Sequence, residues 1–393
     1  MMPGKAPVKK YITANEAVAH AARLARVEVI AAYPITPQTS IVEKLASFIA
    51  SGEMDADFIK VESEHSALTA CMGARMAGVR AFTSTSSQGL EYMHEMLAYS
   101  SGGRYPLVMA NVCRSVALPW SIWGDQQDAI QQRDTGWIQL FTETAQEALD
   151  MVLQAYRIAE DHRILLPVMI CLDGFIQSHT EELVEIPDQE SVDAFLPPYD
   201  PVVTLDVDDP HSISVGGFGK HYAAWRKEQQ EAAERAKEVI VEVGDEFARI
   251  FGRHYGGLIE AYRIEGAQAV LLTMGALVGT AREVVDEMRA EGKAVGLIKV
   301  RAFRPFPAEE LRQALSQVKA AAVLDRDCSY GYEGALATDL KAALYGLANP
   351  PAVLGFIGGL GGADVPPERM RYMLERALSV KKGAPSSAEF IDL

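Results

Sequence analysis

Apolar and polar positions along this chain fall into short blocks of two kinds, and their alternation predicts most of the architecture. Val27 to Ala32, Phe58 to Val61, Val79 to Thr85, Leu107 to Asn111, Ile138 to Phe141 and Leu165 to Leu172 are compact apolar runs that read as buried strands. Between them lie stretches that read as helices, among them Ser66 to Ala77, Gln88 to Ser100 and Ala145 to Asp161. Thr13-Ala-Asn-Glu16 is a capping box opening a helix to about Leu24, and Ser40 is placed to cap the helix after the first run. Strand and helix in turn predict a parallel sheet covered on both faces over residues 1–176.

The alternation stops over residues 177–256. Glu181 to Pro210 is acidic and carries Pro187, Pro197, Pro198, Pro201 and Pro210, which predicts a connecting arm without periodic elements. From about Ala223 to Gly252, the residues Ala236, Val239, Ile240, Val243, Phe247, Ile250 and Phe251 recur at three- and four-residue steps, the stripe of one long amphipathic helix. That stripe must pack on its own domain or on a partner chain. A second α/β unit follows over residues 257–393, with strands at Ala269 to Met274, Val295 to Val300, Ala320 to Leu324 and Ala352 to Ile357. Helices are expected at about Thr280 to Glu291, Pro307 to Gln317, Gly334 to Tyr345 and Pro366 to Leu378. The expected fold class is therefore α/β, with two three-layer domains.

Composition narrows the function classes. A chain of 393 residues, 49% hydrophobic, is long enough to bury two cores. Its net charge of −16 leaves no basic stripe to displace counterions, which argues against a nucleic-acid partner. The basic cluster from Lys5 to Lys10 reads as a flexible, solubilising end rather than a membrane address. No apolar run approaches the roughly eighteen residues that span a bilayer, and no secretory apolar core follows the first basic residues. A soluble, cytoplasmic protein is expected. Cys71, Cys113, Cys171 and Cys328 lie far apart with no C-x-x-C pair, so no metal site is encoded and any iron–sulfur chemistry would come from another chain.

Candidate chemistry gathers in three fragments that follow buried strands: Tyr33-Pro-Ile-Thr-Pro-Gln-Thr-Ser40, Val61-Glu-Ser-Glu-His-Ser-Ala67 and Asn111-Val-Cys-Arg-Ser115. In open α/β sheets such strand ends collect ligand-binding groups. Glu64, opening a helix, either complements the helix macrodipole or receives a hydrogen bond from a ring nitrogen of an aminopyrimidine. Thr36 stands between Pro34 and Pro37, which stiffen the loop either to fix a hydroxyl or simply to end the strand. Arg114 is either a surface cation or a fork for a carboxylate. The loop beyond it, Ala117-Leu-Pro-Trp-Ser-Ile-Trp123, is too apolar for plain exposure, so Trp120 and Trp123 are expected to wall a pocket or line an interface.

Gly358-Gly-Leu-Gly-Gly362 fails the G-x-G-x-x-G test and reads as a strand-to-helix turn. The chain lacks a phosphate-binding G-x-x-x-x-G-K-[ST] loop, a G-x-S-x-G elbow and an H-E-x-x-H pair. Gly124-Asp125 and Gly244-Asp245 do not extend to the Gly-Asp-Gly…Asn pattern that holds a magnesium diphosphate.

Seven fragments in order carry a resemblance: Tyr33-Pro-Ile-Thr-Pro, Val61-Glu-Ser-Glu-His-Ser-Ala, Thr83-Ser-Thr-Ser-Ser-Gln-Gly-Leu, Gly124-Asp-Gln-Gln-Asp, Arg133-Asp-Thr-Gly-Trp137, Gly296-Leu-Ile-Lys-Val-Arg-Ala-Phe-Arg-Pro-Phe-Pro307 and Gly358-Gly-Leu-Gly-Gly362. Over nearly the whole chain it resembles the α subunit of 2-oxoacid:ferredoxin oxidoreductases, most closely the pyruvate:ferredoxin type. The resemblance implies a thiamine-diphosphate pyrimidine-binding domain followed by a transketolase C-terminal-like domain. It implies a complex in which a β-type subunit holds the diphosphate with Mg²⁺, and γ- and δ-type or ferredoxin-like subunits hold [4Fe–4S] clusters. The reaction implied is oxidative decarboxylation of a small 2-oxoacid, with coenzyme A as acceptor and ferredoxin taking electrons singly, or its reverse, in an anaerobic setting. Glu64 matches the family glutamate that engages the aminopyrimidine and promotes its imino tautomer, chemistry that belongs to the cofactor and is tuned by protein. Thr36 and Arg114 match residues that hold the 2-oxoacid. The chain departs from the pattern at Gln126, where a histidine usually follows Gly-Asp, at bulky Trp120 and Trp123, and at Ala363, where an arginine commonly follows the glycines. Those departures leave open other 2-oxoacids (branched-chain, 2-oxoglutarate or oxalate), and a non-catalytic scaffold subunit of the same fold whose tryptophan loop fills the former pocket.

Overall fold

Seven strands form the first sheet in the order Ala302–Arg304, Ile138–Phe141, Val168–Asp173, Val108–Cys113, Ala81–Thr85, Val29–Ala32, Asp57–Lys60. Neighbours pair parallel except at the Ala302–Arg304 edge, which is antiparallel. The computed structural model describes residues 7–213, 216–381 and 388–393. A second sheet of six strands runs Glu389–Phe390, Ala352–Ile357, Ala320–Asp325, Ala269–Thr273, Val295–Val300, Ile259–Tyr262, parallel but for the last pair.

Strand periodicity explains why each sheet is covered twice. Side chains of a strand alternate between faces: Val108, Ala110 and Val112 enter a core with helices Ala14–Leu24 and Ala145–Ala159, while Leu107, Met109 and Cys113 enter another with helices Glu64–Met76 and His94–Gly102. The second core runs on without a break into the other sheet, taking Val270, Leu272, Ile298 and Val323. Their neighbours Ala269, Leu271, Leu297 and Ala322 face the opposite way, onto helices Leu277–Ala290 and Pro367–Ser379. One apolar layer thus joins the two sheets.

The long helix spans Lys220–Phe251, 32 residues, and its stripe packs on this chain. Val239, Ile240, Val243 and Phe247 are buried in the first core, at about 1.5–3 kcal/mol each. That docking, rather than intrinsic propensity, sustains the helix, because helicity alone is marginal in water. Its first eight residues are exposed.

Several expectations need correction. Residues 181–210 are not devoid of elements: Glu182–Ile186 is a strand, and Gln189–Phe195 is a helix capped by Asp188, whose carboxylate accepts from the Ser191 N–H. Residues 8–12 are not a loose end, because Val8–Ile12 pairs antiparallel with Glu182–Ile186 and Lys9 meets Glu185 at 2.7 Å; Lys5 lies outside the described residues. Ser40 is not a cap. The helix begins at Thr39, and the Ser40 hydroxyl accepts from the Asn15 amide at 2.8 Å. The stretch from Gln88 is two helices, Gln88–Tyr92 and His94–Gly102. The Thr13 cap is present, accepting from the Glu16 N–H at 3.3 Å.

Candidate active site

Chain order reverses direction across the first sheet between the neighbouring strands Val29–Ala32 and Ala81–Thr85: the strand between them in sequence, Asp57–Lys60, pairs on the far side of the first. Such a switch point opens a crevice at the carboxyl ends of the strands. Four loops leave that edge and carry Thr36, Glu64, Ser86 to Gly89, and Arg114. The structure therefore brings the three candidate residues to one rim.

Glu64 is the first residue of helix Glu64–Met76, behind Ser63, whose extended backbone and hydroxyl cap the helix by accepting from the Ser66 N–H at 3.2 Å. Only 7% exposed, Glu64 makes no hydrogen bond or ion pair among the described residues. Its carboxylate lies against Gly89: a Cβ there would sit 2.7 Å from Oε1, 2.9 Å from Cγ and 2.5 Å from the Thr85 hydroxyl. Glycine is needed for that approach, not for a turn. The Thr85 hydroxyl is itself buried, with no hydrogen-bond partner among the described residues.

Arg114 follows strand Val108–Cys113 and is 6% exposed. Its guanidinium donates to the Thr36 carbonyl at 2.7 Å and to Gln88 Oε1 at 2.7 Å, while Nε has no partner among the described residues. Burial lowers its pKa from the usual arginine range, and the negative charges of Asp128 and Glu64 pull it back. The Thr36 side chain is exposed, and what it turns to Arg114 is its backbone carbonyl, ahead of a cis bond to Pro37. Around it, Gln38 Nε2 donates to the Tyr33 carbonyl at 2.8 Å and Asn15 donates to the Pro37 carbonyl at 2.8 Å. These bonds immobilise the loop from both sides.

A residue without an assigned part in the sequence reading ties this rim together. Asp128, fully buried in the short helix Gln127–Gln131, accepts from the Ser87 N–H at 2.7 Å and the Arg114 N–H at 3.1 Å. The signal was present in Gly124-Asp-Gln-Gln-Asp128, where an acid immediately precedes apolar Ala129 and Ile130. What it bonds could not be read from spacing.

The second sheet clamps the same loop. Arg326 Nη1 meets Asp173 at 2.5 Å and Nη2 donates to the Gly124 carbonyl at 2.9 Å, both residues being buried. Gly358 to Gly362 forms a turn after strand Ala352–Ile357, in which the Gly361 N–H reaches Asp125 at 3.1 Å and the Gly362 N–H reaches the Gly124 carbonyl at 3.0 Å. Gln126 faces this junction, donating to Asp173 at 3.2 Å. Trp120 and Trp123 are 72% and 52% exposed, and the Trp123 ring rests on Phe175 at 4.6 Å. Neither fills a pocket.

Comparison with known proteins follows the same lines. Residues 20–245 match the thiamine diphosphate-binding domain of pyruvate flavodoxin/ferredoxin oxidoreductases, and residues 267–370 match core domain II of pyruvate:ferredoxin oxidoreductase. The chain belongs to the pyruvate:ferredoxin oxidoreductase family. Within it, pyruvate synthase subunit PorA of Methanothermobacter thermautotrophicus is 52% identical over 369 residues, covering 94% of this chain and 95% of its own. Ketoisovalerate oxidoreductase subunit VorA of Pyrococcus horikoshii is 51% identical over 359 residues, covering 91% of each. Among solved structures, the 2-oxoglutarate:ferredoxin oxidoreductase of Magnetococcus marinus, which holds 2-oxoglutarate, coenzyme A and succinyl-CoA, shares the fold at TM-score 0.72 and 19% identity over 95% of this chain. This chain spans 66% of that one. A split-gene transketolase, at TM-score 0.55 and 14% identity over 95% of this chain and 100% of its own, also shares the fold. The chain is thus a 2-oxoacid:ferredoxin oxidoreductase α subunit, with a thiamine diphosphate-binding domain followed by a transketolase C-terminal-like one, and its relatives are subunits of larger assemblies.

The rim's chemistry fits the pyrimidine end of thiamine diphosphate. A buried carboxylate that makes no hydrogen bond among the described residues, beside a buried hydroxyl equally unsatisfied there and a glycine that admits close approach, suits a ring with polar nitrogens. No cluster of three or more potential metal ligands occurs among the described residues, and no helix among them is long and apolar enough to cross a membrane.

Proposed function

We propose that this chain supplies Glu64 to the aminopyrimidine of thiamine diphosphate, and Arg114 with Thr36 to a small 2-oxoacid, in oxidative decarboxylation to acyl-CoA and CO₂ or its reverse. The observation that carries the reading is the buried Glu64 carboxylate at the switch point, which makes no hydrogen bond among the described residues. A helix start contributes only about 0.3–1 kcal/mol to a carboxylate, whereas withdrawing one from water costs several kcal/mol. Neither the macrodipole nor the nearby charge of Arg114 gives Glu64 a hydrogen bond, and a ligand donor would supply one. When bound, thiamine diphosphate supplies the carbon nucleophile and the electron sink of decarboxylation. Glu64 holds a proton at the ring nitrogen it faces. The positive charge of Arg114, fixed by Thr36 and Gln88, attracts the 2-oxoacid carboxylate to the rim, and the stiff Thr36 loop limits its orientations.

In this reading residues 1–176 form the pyrimidine-binding domain, residues 177–256 the connecting arm with the long helix, and residues 257–393 the second domain. A β-type subunit contributes Mg²⁺ and the diphosphate grip, γ- and δ-type subunits or a fused equivalent carry [4Fe–4S] clusters, and ferredoxin and coenzyme A are co-substrates in the cytoplasm. Pyruvate is the first substrate to test, supported by PorA relatives, and 2-oxoisovalerate the second, because a VorA relative is as similar. The exposed tryptophans speak against a scaffold with a plugged site. In the complex co-expressed with its partners, Glu64→Gln should lower substrate-dependent reduction of a one-electron dye by at least about 10²-fold. An unchanged rate removes Glu64 from the mechanism.

A further inference from the structure

The two loops carrying Gly89 and Arg114 share one anchor. Asp128 Oδ2 accepts from the Ser87 N–H at 2.7 Å, the Arg114 N–H at 3.1 Å and Asn111 Nδ2 at 3.2 Å, and Oδ1 accepts from the Ala129 N–H at 2.7 Å. No cationic side chain pairs with this carboxylate among the described residues, and it is wholly buried. A tie between loops alone could be made by a neutral group at far smaller desolvation cost. What the charge holds is unusual backbone. Ser87 sits at φ 50° and ψ −122°, a conformation L-residues rarely adopt. Its N–H goes to Asp128 and its hydroxyl to the Ser115 carbonyl at 2.5 Å. The next two residues are Gln88, which receives Arg114 Nη2, and Gly89, which abuts Glu64.

We infer that Asp128 is a positioning residue for the reaction: through the Ser87 and Arg114 amides its carboxylate fixes the Glu64–Gly89 contact and the Arg114 guanidinium, and the protonated acid releases them. This rests on the reading that Glu64 meets the cofactor and Arg114 the substrate. Burial, the largest cause, pushes the Asp128 acid up to about 7; its bonds to Ser87 and Arg114 lower it and the charge of Asp125 raises it further. The other ionisable neighbours are Arg114 itself and the Cys113 thiol, held protonated by its own burial and by the adjacent carboxylates. A proton on Oδ2 sets an O–H against N–H donors, and one on Oδ1, which takes a single N–H, withdraws the charge that the Ser87 and Arg114 amides bind; either way the loop bonds weaken. Turnover should therefore decline as pH falls through about 7.

The test is made on the co-expressed complex, measuring kcat and KM for pyruvate across pH 5.5–9 together with bound thiamine diphosphate. In Asp128→Asn the acid limb should vanish and kcat/KM should fall about 10- to 100-fold, through a lowered kcat as the Glu64–Gly89 contact loosens and a raised KM as Arg114 does. In Asn111→Ala, which removes a hydrogen bond from the ionised form, the limb should move to higher pH. Wild-type kcat and KM with an unmoved limb in Asp128→Asn overturn the inference. If that variant does not assemble, an unmoved limb in Asn111→Ala overturns it equally. Glu64→Gln in the same assay separates the two readings: full activity there refutes the cofactor contact, whereas an inactive Glu64→Gln beside a wild-type-like Asp128→Asn refutes the positioning role alone.

Discussion

Replacing Gly89 with alanine isolates the Glu64 geometry from the stability of the fold. Gly89 lies in helix Gln88–Tyr92 and needs no positive φ, so an L-residue fits the backbone and gains about 0.5–1 kcal/mol of helix propensity. The new methyl, however, would stand 2.7 Å from Glu64 Oε1 and 2.5 Å from Thr85 Oγ1. Restoring an ordinary contact of about 3.5 Å from the present 2.7 Å moves the carboxylate oxygen by about 0.8 Å. Overpacking of this kind costs about 1–3 kcal/mol, so the net loss of stability stays within about 2.5 kcal/mol. Misplacement by about 1 Å at a reacting group costs about 10²-fold in rate, equivalent to about 2.7 kcal/mol of barrier. Gly89→Ala should therefore assemble, melt within a few degrees of wild type and lose about two orders of magnitude in kcat for pyruvate-dependent dye reduction. A variant with wild-type kcat and a full complement of thiamine diphosphate would refute the claim that Glu64 must stand where it does.

Two further outcomes concern stability. Arg326→Met leaves the buried Asp173 carboxylate without its cation and should cost about 3–5 kcal/mol in chemical denaturation, since uncompensated buried charge dominates such losses. His20 is buried against Phe48, both ring nitrogens lack partners, and burial, aided by Lys10, Arg23 and Lys44, lowers its pKa from 6.5 to about 3. Because the unfolded chain takes up the proton first, the fold loses stability as pH falls below about 6.5 and continues to lose it until about 3. His20→Leu should flatten that part of the melting-temperature profile, and an unchanged slope between pH 6.5 and 4.5 would exclude His20 as its source.

Sequence carried the inner strands of the first sheet because burial on both faces leaves continuous apolar runs, as in Val108–Cys113, whereas Asp57–Lys60, expected as a buried strand over Phe58 to Val61, is a largely exposed edge. It carried the Thr13 cap because that bond is local, spanning three residues. Where it misled, a distant partner decided the outcome. The Ser40 hydroxyl accepts from the Asn15 amide, 25 positions away, and Glu182–Ile186 becomes a strand only because Val8–Ile12 lies beside it. Prolines at 187, 197 and 198 delimit those elements rather than abolish them. Ala302–Arg304 is too short to show any period. At the rim, Glu64, Thr36 and Arg114 were visible as polar residues after apolar runs. Gln88 as the receiver of Arg114, and Asp128 as the anchor of two loops, depend on contacts 26 and 14 residues apart.

The Ala302–Arg304 strand bears on how this polypeptide can be dissected. Because it leaves the second sheet's Val295–Val300 strand and at once lines the Ile138–Phe141 margin, a truncation at residue 256 would strip that margin of its cover. The N-terminal piece would then expose unpaired peptide groups, a template for self-association, while the remainder would keep a short ribbon with nothing to bind. Fragment expression should accordingly yield aggregates, and the two halves should melt as one cooperative body.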